Sequence, residues 1–219
     1  MKVILFGATG MVGQGVLREC LACDDVEKVL SIVRSAGGGQ HLKLRELVHR
    51  DFLDFSTIDS QLAGFDACFF CLGISSAGMT EENYRRITYD VTLAAAGTLA
   101  RLNRRMTFIY VSGAGTDSSE RGRSMWARVK GRTENALLGL PFKAAYMFRP
   151  ALIVPMHGIR SRTKSYRILY TLTGPILPLL YRLLPAYVTT TERLGRAMLK
   201  AAKDGAPKAI LESRDINAL

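Results

Sequence analysis

The chain alternates short apolar runs with longer stretches whose apolar residues recur at helical spacing, and this alternation predicts its architecture. KVILFG is apolar at almost every position and ends at Gly7. Beyond it, Val12, Val16, Leu17 and Leu21 mark one face of a helix. VEKVLSIV predicts a second strand, LRELVHRD a third and DACFFCLG a fourth. A long helix is expected from about Thr80 to Leu102, with Glu81 and Glu82 in its first turn, where the helix dipole favours carboxylates. MTFIYVSG predicts a fifth strand, SMWARVKGRTENALLG a helix, and FKAAYMFRPALIVP a sixth strand with its exit loop. Thr190 to Lys203 reads as a last helix, followed by a short strand, KAILES.

Strands apolar on both faces, joined by helical crossovers, predict a parallel sheet covered on both sides. The expected fold class is therefore α/β, a doubly wound, mainly parallel Rossmann sheet with a small C-terminal substrate or lid region. No internal repeat or long linker divides the chain, so one domain is expected over 1–219, with its core at about 1–155 and 189–219. The stretch of about 156–188 breaks the rhythm. It holds a basic turn, GIRSRTKSYR, and an apolar, proline-interrupted run, ILYTLTGPILPLLYRLLP, and reads as a lid or an interface segment. A hydrophobic content of 48% over 219 residues excludes a disordered or low-complexity protein.

Charge sharpens the contrast between the two halves. Residues 1–100 carry 9 Lys and Arg against 12 Asp and Glu, a net −3, whereas residues 101–219 carry 21 against 7, a net +14. No acid lies between Glu134 and Glu192, while Lys143, Arg149, Arg160, Arg162, Lys164, Arg167 and Arg182 fall in that gap. Either something anionic meets this half, a lipid surface included, or it is a solvated basic face. Nucleic acid is not expected, because no helix-turn-helix, zinc or RNA-recognition signature accompanies the charge. The start, MKVILFGATG, lacks a signal-peptide apolar region, and the uncharged stretch Ile168 to Tyr181 is too short for a bilayer span, so a cytoplasmic chain is expected. Two CxxC pairs, Cys20/Cys23 and Cys68/Cys71, raise the question of a metal. The second lies on a strand, where positions three apart point to opposite faces, so buried structural thiols and no metal are expected.

Gly7, Gly10 and Gly13 form a GxxGxxG turn between an apolar strand and an amphipathic helix. The first permits a tight turn, the second lets a pyrophosphate approach the backbone, and the third lets the helix pack against the sheet. The helix start offers free N–H groups and the positive dipole end to phosphates. At the tip of the second strand, Ser31-Ile32-Val33-Arg34 offers no carboxylate for a ribose 2′-hydroxyl. Arg34 can instead fork onto a 2′-phosphate and Ser35 can add a hydroxyl, so NADP(H) is favoured over NAD(H).

With these elements in place, the chain resembles the short-chain dehydrogenase/reductase superfamily in its extended and atypical branches, along most of the first 155 residues. GATGMVG, which is Gly7, Ala8, Thr9, Gly10, Met11, Val12 and Gly13, is similar to that branch's opening motif. VSGAGTD, VKGRTE and FRP resemble elements of the NAD-dependent epimerase-like and HIV Tat-interactive protein-like group. The resemblance implies that Asp51-Phe52 meets the adenine, that Cys71-Leu72-Gly73 passes the cofactor, and that Val111 and Ser112 lie at its far end. It also implies that Lys130 binds the nicotinamide ribose, and that Pro150, Ala151, Leu152 and Ile153 lie beside the nicotinamide.

The family's YxxxK signature is broken here: Trp126 precedes Lys130 where the tyrosine belongs, and no other tyrosine has a lysine four residues on. An indole N–H donates a hydrogen bond but has no accessible pKa. The serine of the relay is Ser112 in one register, with Gly113 in its place in the other. Two readings follow. The first is an NADP-dependent oxidoreductase or epimerase-like enzyme, drawing its proton from Lys130, Ser112, His157 or a tyrosine of 166–187 and acting on a hydrophobic small molecule. The second is a non-catalytic NADPH-binding module, with the 156–188 segment serving a homodimer interface or other partner contact.

Overall fold

The computed structural model describes residues 1–159 and 186–219. In chain order its strands are β1 (Lys2–Phe6), β2 (Lys28–Val33), β3 (Leu44–Val48), β4 (Ala67–Phe70), β5 (Thr107–Val111), β6 (Ala144–Arg149), β7 (Leu152–Val154), β8 (Val188–Thr190) and β9 (Ile210–Glu212). The helices are α1 (Met11–Ala22), α2 (Asp59–Leu62), α3 (Glu81–Arg85), α4 (Val91–Leu102), α5 (Met125–Leu138), α6 (Thr191–Asp204) and α7 (Ser213–Ala218). Seven strands form one sheet in the order β3-β2-β1-β4-β5-β6-β9, every neighbouring pair parallel. The α/β expectation holds.

Residue alternation along the strands divides the interior into two cores. Val3, Leu5, Val29, Phe69, Ile109 and Phe148 face α1 and α6, where Val16, Leu194 and Met198 meet them. Ile4, Phe6, Leu30, Phe70, Phe108 and Met147 face the opposite side, against Ala95, Leu99 and Leu137 of α4 and α5. Cys68 belongs to one core, and Cys20 and Cys71 to the other. All four cysteines are free thiols, and burial pushes those of Cys20, Cys68 and Cys71 far above their ordinary range. Among the described residues no cluster could hold a metal ion.

Four features differ from the sequence reading. The helix expected from Thr80 to Leu102 contains a π-helical turn, Arg86–Asp90, between α3 and α4. No proline or glycine announces such an inserted residue, and Tyr89 within it receives the Arg132 guanidinium 5.0 Å above its ring. The exit of the sixth strand is not all loop, since β7 pairs in parallel with β8 as a separate ribbon. A further helix, α7, follows β9, with Glu212 and Asp215 capping its start reciprocally. Finally, β2 reaches β3 through Arg34–Lys43 without a helix, and the Glu46 carboxylate holds that loop by accepting from the Gly37 and Gly38 N–H groups at 2.9 and 3.3 Å. The basic turn and apolar run expected within 160–185, with Arg160, Arg162, Lys164, Arg167 and Arg182, lie outside the described residues. Among the described residues no helix is long and apolar enough to cross a membrane.

Candidate cofactor site

Because β1 to β6 run parallel, their C-terminal ends meet at one edge, and the residues singled out from the sequence emerge there. Gly7 follows β1, Arg34 follows β2, Asp51 lies beyond β3, Cys71 follows β4, Ser112 follows β5 and Pro150 follows β6. Strand order reverses at β1, with β2 and β3 on one side and β4 to β6 on the other. Open α/β sheets bind their ligands in the crevice at such a switch point.

The glycine turn is built for close approach. Gly7 has φ +81°, and a Cβ there would stand 2.7 Å from the Cys71 carbonyl and the Leu72 nitrogen. A Cβ on Gly13 would lie 2.0 Å from the Gly7 oxygen, so α1 can reach the turn only with glycine at that position. Above Gly10 the space is open, since a Cβ there would meet nothing nearer than the Gly7 oxygen at 3.4 Å. Gly10 caps α1 with no side-chain hydrogen bond, and no acid stands in the first turn, which contains Met11 and Val12. Ala8 is buried, and the Thr9 carbonyl accepts from Gln14 Nε2 at 3.0 Å, bracing the turn from behind. These residues fit a dinucleotide's pyrophosphate: the positive helix end, open space above Gly10, and no acid in the first turn.

Flanking positions have distinct surroundings. Arg34 and Ser35 are exposed just past β2, and among the described residues no acid pairs with Arg34. Asp51 is exposed and accepts from the Leu53 N–H at 2.9 Å, while Phe52 is buried edge-on against Phe6 and Phe55. The Cys71 N–H donates to the Phe6 carbonyl at 3.0 Å, Leu72 packs on the core, and Gly73 faces open space.

At the far end, Val111 pairs with Phe148, and the Ser112 N–H extends that ladder to the Phe148 carbonyl at 2.9 Å. The Pro150 carbonyl accepts from Ala114, the Ala151 N–H donates to Ser213 Oγ at 2.9 Å, and Leu152 and Ile153 enter β7. Trp126 and Lys130 lie one turn apart on α5, and so share a face. The half-buried indole lies over Gly115, and the Lys130 ammonium donates to the Ser112 carbonyl. Burial pushes the Lys130 pKa down to about 8, against the opposing pull of the Glu134 carboxylate.

Ser112 turns its hydroxyl into the core. The side chain is buried and donates inward, to Glu134 Oε1 at 2.5 Å, so it has no proton free for a substrate. His157 is also engaged. Its backbone is left-handed at φ +56°, and its Nε2 lies 2.7 Å from the Glu192 carboxylate of α6. Tyr166, Tyr170 and Tyr181 lie outside the described residues, and Tyr187 is exposed.

The Glu134–Arg149 pair escaped the sequence reading. Glu134 is fully buried, and Arg149 Nε donates to both of its oxygens at 3.1 Å. A second donor, Arg149 Nη2, reaches Glu134 and also Ser118 Oγ at 2.6 Å. The signal was present: Glu134 falls on the α5 stripe that also buries Ala127, Gly131 and Leu137, and a charge on such a stripe demands a buried partner.

The fold and its glycine turn define a dinucleotide-binding α/β protein. Residues 7–137 match the model of the NAD(P)H-binding family, and the chain belongs to that family. It is 28% identical over 156 residues to the mitochondrial protein FMP52 of Eremothecium gossypii, covering 70% of this chain and 67% of that protein. A 28% identity over 158 residues links it to the mitochondrial fmp52 of Emericella nidulans, covering 69% and 66%. The matched stretch thus spans about two thirds of these relatives. Among solved structures, Gre2 from Candida albicans in complex with NADPH superposes with a TM-score of 0.71 at 14% identity, covering 97% of this chain and 77% of that one. The Bordetella bronchiseptica enzyme WbmF in complex with NAD+ gives 0.66 at 16% identity, covering 99% and 76%. The expected NAD(P)-binding family and the parallel α/β fold are borne out. The expectation of a cytoplasmic chain is overturned, because both FMP52 relatives are named mitochondrial.

Proposed function

We propose that the chain binds NADP(H) across the β1–β4 crevice and works as an oxidoreductase whose proton-handling group is Lys130. The observation that carries the reading is the glycine turn without a side-chain cap, open above Gly10 and with no acid in the first turn of α1, beside Arg34, with which no acid pairs among the described residues. Gly7 to Gly13 hold the pyrophosphate, Arg34 and Ser35 take the 2′-phosphate, and Asp51 and Phe52 border the adenine. Cys71 to Gly73, Val111 and Pro150 to Ile153 line the path to the nicotinamide. When bound, the coenzyme supplies a hydride to a carbonyl carbon. The Lys130 ammonium gives the carbonyl oxygen its proton and is reprotonated by water.

Arg34→Glu is expected to weaken NADPH about 10- to 100-fold, the worth of charge-assisted hydrogen bonds, while NADH changes by less than about threefold. Calorimetry with both coenzymes reads the difference, and an equal loss for both removes the 2′-phosphate role. Only the ammonium form of Lys130 carries a proton, so the reduction rate should fall as pH rises through about 8. A rate that is flat from pH 6 to 10 would exclude Lys130 as the donor.

A second reading is a coenzyme-binding module without turnover. It is favoured by two residues: Trp126, which cannot titrate, and Ser112, whose hydroxyl is committed to Glu134. A carbonyl panel with NADPH separates the readings. Turnover by the native chain supports the enzyme, whereas a silent native chain that gains activity as Trp126→Tyr supports the module.

A further inference from the structure

Ser112 is held through its N–H, its hydroxyl and its carbonyl, and the last of these contacts is with Lys130. Its N–H donates to the Phe148 carbonyl at 2.9 Å, its hydroxyl donates to Glu134, and its carbonyl accepts from the Lys130 ammonium. The carboxylate gripping that hydroxyl is itself gripped by Arg149, which also reaches Ser118 Oγ at 2.6 Å and lies 3.6 Å from Glu212. We infer that Glu134 and Arg149 are positioning residues for Lys130: the buried ion pair clamps the Ser112 hydroxyl and so fixes the carbonyl against which the ammonium is aimed. The inference rests on the reading of Lys130 as the proton-handling group.

A pair that served only to hold α5 against β6 would be a costly choice. Buried ion pairs are often matched or bettered by apolar side chains of the same volume. Here the carboxylate stands one helical turn from Lys130 on the same face of α5, and it also carries a charge that acts on the lysine. Burial alone drives the amine towards its neutral form, and Glu134 opposes this. The guanidinium balances the carboxylate, so the opposition is partial. Tyr110 of β5, which lies within range of the Glu134 charge, and Tyr84 of α3 are kept protonated by burial. Glu212 at the end of β9 acts through Arg149. Among the described residues Glu134 is thus the charge shown to act on Lys130, and Arg149 is the partner that holds it.

The test is the titration of Lys130 in the intact chain, followed by NMR of 13C-methylated lysines and assigned with Lys130→Arg. Glu134→Gln is expected to lower the Lys130 pKa, raising its acid dissociation constant at least about threefold. The alkaline limb of the reduction rate should move with it while KM is kept. Where the single change prevents folding, Glu134→Gln combined with Arg149→Met removes both charges while filling the space, and a smaller shift in the same direction is expected. A folded variant with an unmoved Lys130 titration overturns the inference. Coenzyme affinity of the native chain, measured by calorimetry, is an independent readout. Its absence would defeat the cofactor assignment and leave the titration shift still readable.

Discussion

Glu134→Ala is expected to destabilise the protein by about 3–5 kcal/mol, the cost of leaving one member of a buried ion pair without its partner. The carboxylate is fully buried and receives donors from Arg149 and Ser112, so its removal strands a guanidinium that is itself almost entirely buried. Arg149 keeps Ser118 and the half-exposed Glu212, but neither lies inside the core to balance its charge. For a domain of this length, each kcal/mol moves Tm by about 2–4 °C, so a fall of roughly 6–20 °C is expected by calorimetry. Arg149→Ala should cost a similar amount, and the double variant less than the sum of the two, because each single change orphans a charge that the double variant no longer contains. A double variant that lost the full sum would show that the two residues do not act as a pair.

Gly13→Ala sets two effects of opposite sign against each other. Within a helix, alanine is better than glycine by about 1 kcal/mol, which alone would make the change stabilising. The added Cβ, however, would lie 2.0 Å from the Gly7 oxygen and 2.5 Å from its carbonyl carbon, and both are backbone atoms of a left-handed turn. No side-chain rotation relieves that contact, so α1 must move off the end of β1 and carry its first-turn N–H groups with it. Sterics win. NADPH affinity is expected to fall at least about 100-fold, equivalent to about 2.7 kcal/mol, in calorimetric titration. The far-UV spectrum should remain that of an α/β protein, because the sheet does not depend on the turn. Undiminished affinity would remove the pyrophosphate from this turn.

The sheet was legible because its strands are apolar without alternation. KVILF, KVLSIV and ACFF could only be covered on both faces, and the Gly7–Gly13 turn fixed where the first crossover began. That pattern also set the edge from which Arg34, Cys71 and Ser112 emerge. Contacts between residues distant in sequence were not legible. Ser112 looked like a candidate hydroxyl because nothing in VSGAG says which way it points; its direction depends on Glu134, 22 residues away. Glu134 stood out only as part of VKGRTE and as the edge of the acid-free gap, and Arg149 as part of a basic surplus, although each supplies the other's burial. The β7–β8 ribbon was hidden for the same reason, since Leu152–Val154 is too short to declare itself without its partner. The π-helical turn carries no local signal at all.

The packing of α6 beside α1 bears on how the chain reaches this state. Val16 and Cys20 of α1 share their core with Leu194, Met198 and Ala201 of α6, and Arg196 Nε binds the buried Glu19 carboxylate at 3.0 Å. During synthesis, the part of that flank that α6 covers therefore stays exposed until residues 191–204 have been made. Contacts of such long span are slow to close, and an unfinished flank is sticky in the meantime. Folding on this side is thus a late, long-range event, and shielding of the nascent apolar surface matters more here than on the side closed by α4 and α5.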